Sequence, residues 1–129
     1  MLMTIYRYEL ENGVGPYRGA TSDDYWANRE PWPGWKNLVD AHNGDSQHPT
    51  WITDGIRAGN RAAWSSGSSS LKLIMRWFEG FHEELRAAGF QLMRYRIPDS
   101  RVEVGDSGLQ VAFFKGGRHG VPVKPWFSR

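Results

Sequence analysis

Cysteine is absent from all 129 residues, and with it go disulfides, thiolate nucleophiles and zinc–thiolate sites. That fits a reducing compartment, and the expected location is cytoplasmic. Long hydrophobic runs are missing too. No stretch approaches the roughly 20 apolar residues that span a bilayer, so no membrane partner is expected. The opening MLMTIYRYELENG lacks the basic-then-apolar layout of an export signal. Net charge is small, at +2. No HExxH or histidine pair at i, i+4 is present, so no metal site is expected. The run GSSSLKL lacks the lysine of a phosphate-binding P-loop. No GxSxG elbow exposes a serine nucleophile, although Asp45, Asp54 and Asp106 supply acids for a triad.

What the chain does have is unevenly spread. Residues 1–56 carry 4 basic and 8 acidic side chains, whereas residues 57–129 carry 12 and 6. Two oppositely charged halves attract one another when packed, so internal compensation is preferred over direct binding of nucleic acid by the basic second half. Aromatic content is high, with seven tryptophans. Four of them, Trp26, Trp32, Trp35 and Trp51, fall in an irregular stretch rich in Pro, Gly and Asn. Such rings either anchor a long loop to the core or form a contact surface for a partner.

The length suits one domain, taken as 1–129. Met3 and Ile5 alternate with Thr4 and Tyr6, which predicts an opening strand over 3–10. A Gly- and Pro-rich turn follows. Residues 21–66 read as a long Trp-rich insertion loop, with short helical turns near 24–28 and 35–41. Leu71, Ile74, Met75, Phe78, Phe81, His82, Leu85 and Ala88 recur at three- and four-residue steps, predicting one amphipathic helix of about five turns. Gly89 is its expected C-cap, and His82 lies on its apolar side as a satisfied core histidine. Strands are expected over 90–98, 100–104 and 109–114, the last two joined by the hairpin turn GDSG. Residues 115–129 form a basic C-terminal tail. Together these predict an α+β fold, a mostly antiparallel sheet packed on one long helix.

Ser66, Ser68, Ser69 and Ser70 precede that helix. Ser69 or Ser70 is expected as N-cap, contributing about 1 kcal/mol. The others have no such structural duty, and a hydroxyl-rich helix start with its N–H groups suits an anion. His42 and His48 fall in the loop, where histidines are usually solvated or bonded to backbone.

A first-strand Arg7 in YR, hydroxyls at a helix start and a polar Gln110 in LQVAF resemble the ADP-ribosyltransferase fold, in particular its Arg-Ser-Glu class. The resemblance implies an NAD cofactor, with Arg7 on its phosphate, a serine at the nicotinamide ribose and a late-strand group at an oxocarbenium-like transition state. Carried over, the catalytic set is Arg7, Ser70 and Gln110, and the cofactor contacts are Tyr6, Arg7, Ser66 and Ser69. The departure is Gln110, whose neutral amide can bond a hydroxyl but supplies no negative charge. Glu103, on the neighbouring strand, is the nearest candidate replacement.

The order YRxE, GPY, HPxxxxDG, SxxxIxxWF, GF and QVxF also resembles a group of small uncharacterised phage proteins. It begins at Tyr6 and ends at Phe113. This implies a chain working in host cytoplasm. The preferred reading is an interaction or inhibitor protein without catalysis or cofactor. It would grip a host protein or protein–nucleic acid complex, such as a nuclease or a CRISPR effector, through Trp26, Trp32, Trp35 and Trp51. The alternative is an NAD-binding ADP-ribosyltransferase or degenerate relative.

Overall fold

The alternation at the start of the chain becomes β1 (Leu2–Glu9), which runs antiparallel to β3 (Gln91–Pro98) over eight residue pairs, from Leu2 opposite Pro98 to Glu9 opposite Gln91. The computed structural model describes residues 1–17, 22–57 and 63–124. The last five residues of the basic tail, 125–129, lie outside the described residues. Between β1 and β3 come α1 (Ser22–Trp26), α2 (Trp35–His42), β2 (Ser65–Gly67), α3 (Leu71–Trp77) and α4 (His82–Ala87). After β3 come a 3-10 turn (Asp99–Arg101), β4 (Val102–Val104), β5 (Val111–Phe113) and β6 (Val121–Pro122).

The fold is α+β, built on two small antiparallel sheets ordered β1-β3-β6 and β2-β5-β4. The isolated bridge between Tyr6 and Ser68 connects them, with a 2.8 Å backbone bond in each direction. A strand is two-faced, and β1 buries side chains on both. Ile5 and its partner Tyr95 join Ile97, Val111 and Phe113 in a core between the sheets. Tyr8 and its partner Leu92 face the helices, packing with Ile74, Met75, Phe78 and Leu85.

The single long helix expected over 71–88 is not formed. It divides into α3 and α4 around Phe78–Phe81, where Gly80 adopts a φ of 89°. Only glycine takes that left-handed conformation without steric cost, and the break lets Phe78 and Leu85 both reach the same core. At the end of α4, Phe90 N–H bonds to Leu85 O and Gly89 N–H to Arg86 O, with Gly89 at φ 99°. That is the Schellman arrangement, with Gly89 just past the cap. The expected strand 100–104 begins as a 3-10 turn. The short β2 in the serine run is an element that periodicity did not suggest, since SSG carries no alternation.

The long loop is held by its own rings. Trp32 and Trp35 are buried with Tyr8 and Phe90 in the helix-side core, and the Trp32 indole donates to Pro16 O at 3.0 Å. They are therefore core residues here, not a contact surface.

Gly67 sits where the sheets meet, and a Cβ there would lie 2.7 Å from both Ile5 Cγ2 and Tyr6 O. Because one of these atoms is backbone, the clash cannot be relieved by rotating a side chain. Gly67→Ala is expected to cost about 1–3 kcal/mol, read as a lower urea midpoint by circular dichroism; an unchanged midpoint would contradict this packing.

Candidate functional site

A cleft of about 300 Å³ opens beside the Tyr6–Ser68 bridge, between β1, β2, the start of β5 and the tryptophan loop. Its polar groups come from distant parts of the chain. Arg7 lies on β1, Ser66 and Ser68 on and beside β2, and Gln110 directly before β5. Its apolar walls include Trp51, Trp77, Tyr17 and Phe78. Among the described residues that line it, none carries a carboxylate.

Arg7 is 5 % exposed. Its Nη1 donates to Ser66 O at 2.9 Å and its Nη2 to Gly13 O at 3.0 Å, tying β1 to β2 and to the turn after it. Gly15 packs on this guanidinium so closely that a Cβ would lie 2.9 Å from Nη2. Glu9, one strand step away, pairs with Arg7 Nε at 3.5 Å and with Lys115 Nζ at 3.5 Å, and accepts from the Tyr95 hydroxyl at 2.5 Å. Burial, reinforced by the Glu9 bond and charge, pushes the Tyr95 phenol well above its ordinary range.

The serine run divides its duties. Ser70 is the N-cap of α3, its hydroxyl accepting from Leu73 N–H at 3.1 Å. Neither Ser70 nor the exposed Ser69 lines the cleft; Ser66 and Ser68 do. Tyr6 is also outside the lining, half-buried against the helix-side core. Glu103 likewise stays away, its carboxylate accepting from Arg57 N–H at 2.5 Å.

One wall is a histidine pair that sequence reasoning left as loop residues. His42 and His48 stack with ring centroids 3.6 Å apart and planes inclined by 10°. The Trp77 indole N–H, which can only donate, bonds to the Tyr17 oxygen at 2.8 Å. The same Tyr17 oxygen is hydrogen-bonded to His42 Nδ1, so one phenol joins Trp77 to His42. His48 meets two acceptors, Asp45 Oδ2 at 2.9 Å and Trp77 O at 2.7 Å. Burial, and then the adjoining His48 charge, pull the His42 imidazole down to about 4, against a smaller opposing effect of Asp45. Burial also holds the Tyr17 phenol above its ordinary range. His82 is a separate case, accepting from the Tyr8 hydroxyl at 2.6 Å and donating to Met75 O at 2.8 Å. It is the satisfied, half-buried histidine that its helical position suggests.

Of the four loop tryptophans, Trp51 lines the cleft, Trp32 and Trp35 are buried, and Trp26 is 78 % exposed. Among the described residues, no three of His, Cys, Asp and Glu cluster to hold a metal ion, and no helix is long and apolar enough to cross a membrane.

A model of the family described as Bacteriophage T4 Y00F protein matches residues 3–122, and the chain belongs to that phage family. Searches of curated proteins and of solved structures find no match.

The histidine wall makes stability sensitive to acid. The unfolded His42 titrates near 6.5 and the folded one at about 4, so the unfolded chain takes up this proton first. The contribution is fully present above 6.5 and is lost as pH falls toward 4. Burial depresses His82 in the same direction, so the measurement is a difference: melting temperatures of wild type should fall more steeply between pH 6.5 and 4 than those of His42→Gln. Parallel slopes would remove His42 from this role.

Proposed function

We propose that this phage-family protein binds a nicotinamide dinucleotide or a closely related nucleotide in the cleft, as a non-catalytic relative of ADP-ribosyltransferases. The observation that carries the reading is convergence: Arg7, the serines beside β2 and Gln110 line one cavity together with the Trp51 ring. About 300 Å³ is at the lower end for small-molecule sites and fits one half of a dinucleotide. The Arg7 guanidinium brings positive charge to the lining, partly offset by Glu9 at 3.5 Å, and the described lining residues add no carboxylate of their own, which suits a phosphate. Aromatic walls suit a planar base or nicotinamide ring.

The bound dinucleotide would supply a glycosidic bond to nicotinamide whose cleavage builds positive charge on the ribose. Gln110 offers that charge no negative partner, and Glu103 is engaged with Arg57 N–H. This favours binding or sensing over transfer. Arg7 would orient the phosphate, Ser68 and Gln110 would meet hydroxyls, and Trp51 would cover the ring.

The exposed Trp26 favours a second role on the same molecule, contact with a host macromolecule such as a defence nuclease. That surface is narrower than the four-tryptophan face expected from sequence, because two of the rings are in the core.

Thermal unfolding with NAD separates the two. Ligand at a hundredfold excess over Kd stabilises by about 2.7 kcal/mol, a shift of several degrees. That shift should vanish in Gln110→Ala and in Trp51→Ala at unchanged circular dichroism. No shift in wild type at millimolar NAD would end the dinucleotide reading. For the second role, affinity-tagged Trp26→Ala should lose a host protein that wild type captures from lysate, and equal capture would dismiss the ring.

A further inference from the structure

Gln110 is 5 % exposed and its amide nitrogen meets two acceptors, Pro49 O at 2.6 Å and Asp54 Oδ2 at 3.1 Å. An amide turned the other way would set its oxygen against both. The orientation is therefore decided by chemistry, not by shape. Among the described residues Oε1 has no hydrogen-bond donor, and the side chain borders the cleft.

Asp54 is itself held. It is 3 % exposed, its Oδ1 accepts from Ser107 N–H at 2.7 Å, and its Oδ2 accepts from the Ser107 hydroxyl at 2.9 Å. The Asp106 N–H bonds to Asp54 O at 2.8 Å. The turn between β4 and β5 closes over this carboxylate so tightly that a Cβ on Gly105 would lie 1.9 Å from Oδ2. The carboxylate thus joins three parts: the tryptophan loop that carries Pro49 and Trp51, the β4–β5 turn, and the Gln110 amide.

From this geometry we infer that Asp54 is a positioning residue that locks the Gln110 side chain with its carbonyl oxygen toward the cleft, creating a subsite that accepts a hydrogen bond from a ligand hydroxyl or amide and excludes a carboxylate at position 110. The inference deepens the dinucleotide reading and rests on it for the ligand, while the lock itself is a property of the free protein. The position is more than a glutamate that has lost its charge. A glutamate here would set a second carboxyl against Asp54 and against the Pro49 carbonyl, where it is accommodated only by taking up a proton, and the neutral acid supplies no negative charge. Reverting the amide to an acid is therefore not a route to transferase activity in this chain.

The lock is tested first without ligand. At pH 7, Gln110→Glu should lower the urea midpoint, and adding Asp54→Asn should bring the double variant back close to Asp54→Asn alone, because the new amide donates to the new carboxylate. Strictly additive midpoints would overturn the lock. Should any variant fail to fold, the wild-type side-chain amide decides by NMR: the Gln110 N–H₂ protons should exchange slowly with water, and exchange as fast as that of exposed glutamines would overturn it. The ligand arm uses NAD itself in calorimetric titration. Asp54→Asn should weaken binding about tenfold, the scale of one buried hydrogen bond to a charged partner, and undiminished affinity would overturn the positioning role. If wild type takes up no NAD, the proposed ligand fails, and the free-protein measurements still decide the lock.

Discussion

The backbone bonds between Tyr6 and Ser68, 2.8 Å in each direction, are the joint on which the rest of the molecule depends. β1 belongs to one sheet and β2 to the other, and among the described residues this isolated bridge is where their backbones pair. Because successive residues on a strand point to opposite faces, fixing Tyr6 beside Ser68 turns Tyr6 toward the helices and Arg7 toward the space between the sheets. The guanidinium then meets Ser66 O within 2.9 Å. No side chain fits at Gly67, immediately before the bridge, without striking Tyr6 O, so the closeness of the two sheets and the shape of the cleft are one constraint.

Around that joint the cleft is finished by long-range hydrogen bonds from polar side chains, some to backbone and some to one another. Gln110 reaches Pro49 O, His48 reaches Trp77 O, and Tyr17 connects Trp77 to His42. Each draws part of the long loop onto the sheets or helices. Buried polar groups of this kind are costly unless fully partnered, so they favour one arrangement of a segment that has little regular structure. The apolar anchors Trp32 and Trp35 supply burial, and the polar contacts supply register.

Much of the scaffold was legible. The alternation in residues 3–10, the GDSG hairpin turn and the helical turns near 24–28 and 35–41 correspond to β1, the β4–β5 connection, α1 and α2. A serine cap at Ser69 or Ser70 followed from residue type and position, and the structure selects Ser70. Helix periodicity over 71–88 was real but could not reveal the break, because residues on either side of Gly80 serve one core and keep their spacing. The serines beside β2 were legible as an excess of hydroxyls, not as a strand. Arg7 and Gln110 were singled out by their strand positions. Asp54, His42 and His48 were visible only as acids and histidines in a loop, and their roles arise from partners 53, 25 and 29 positions away in sequence.

What the sequence by itself determined is local: the opening strand, the helical turns of α1 and α2, a serine cap at Ser69 or Ser70, Gly89 as a helix stop, and the lack of a thiol. These follow from the covalent properties of neighbouring residues. Only the tertiary structure decided which serines face the cleft, that Trp32 and Trp35 are core while Trp51 is wall, and which way the Gln110 amide points. Those outcomes depend on contacts between segments far apart in the chain, where burial and hydrogen-bond complementarity, not local preference, select the arrangement.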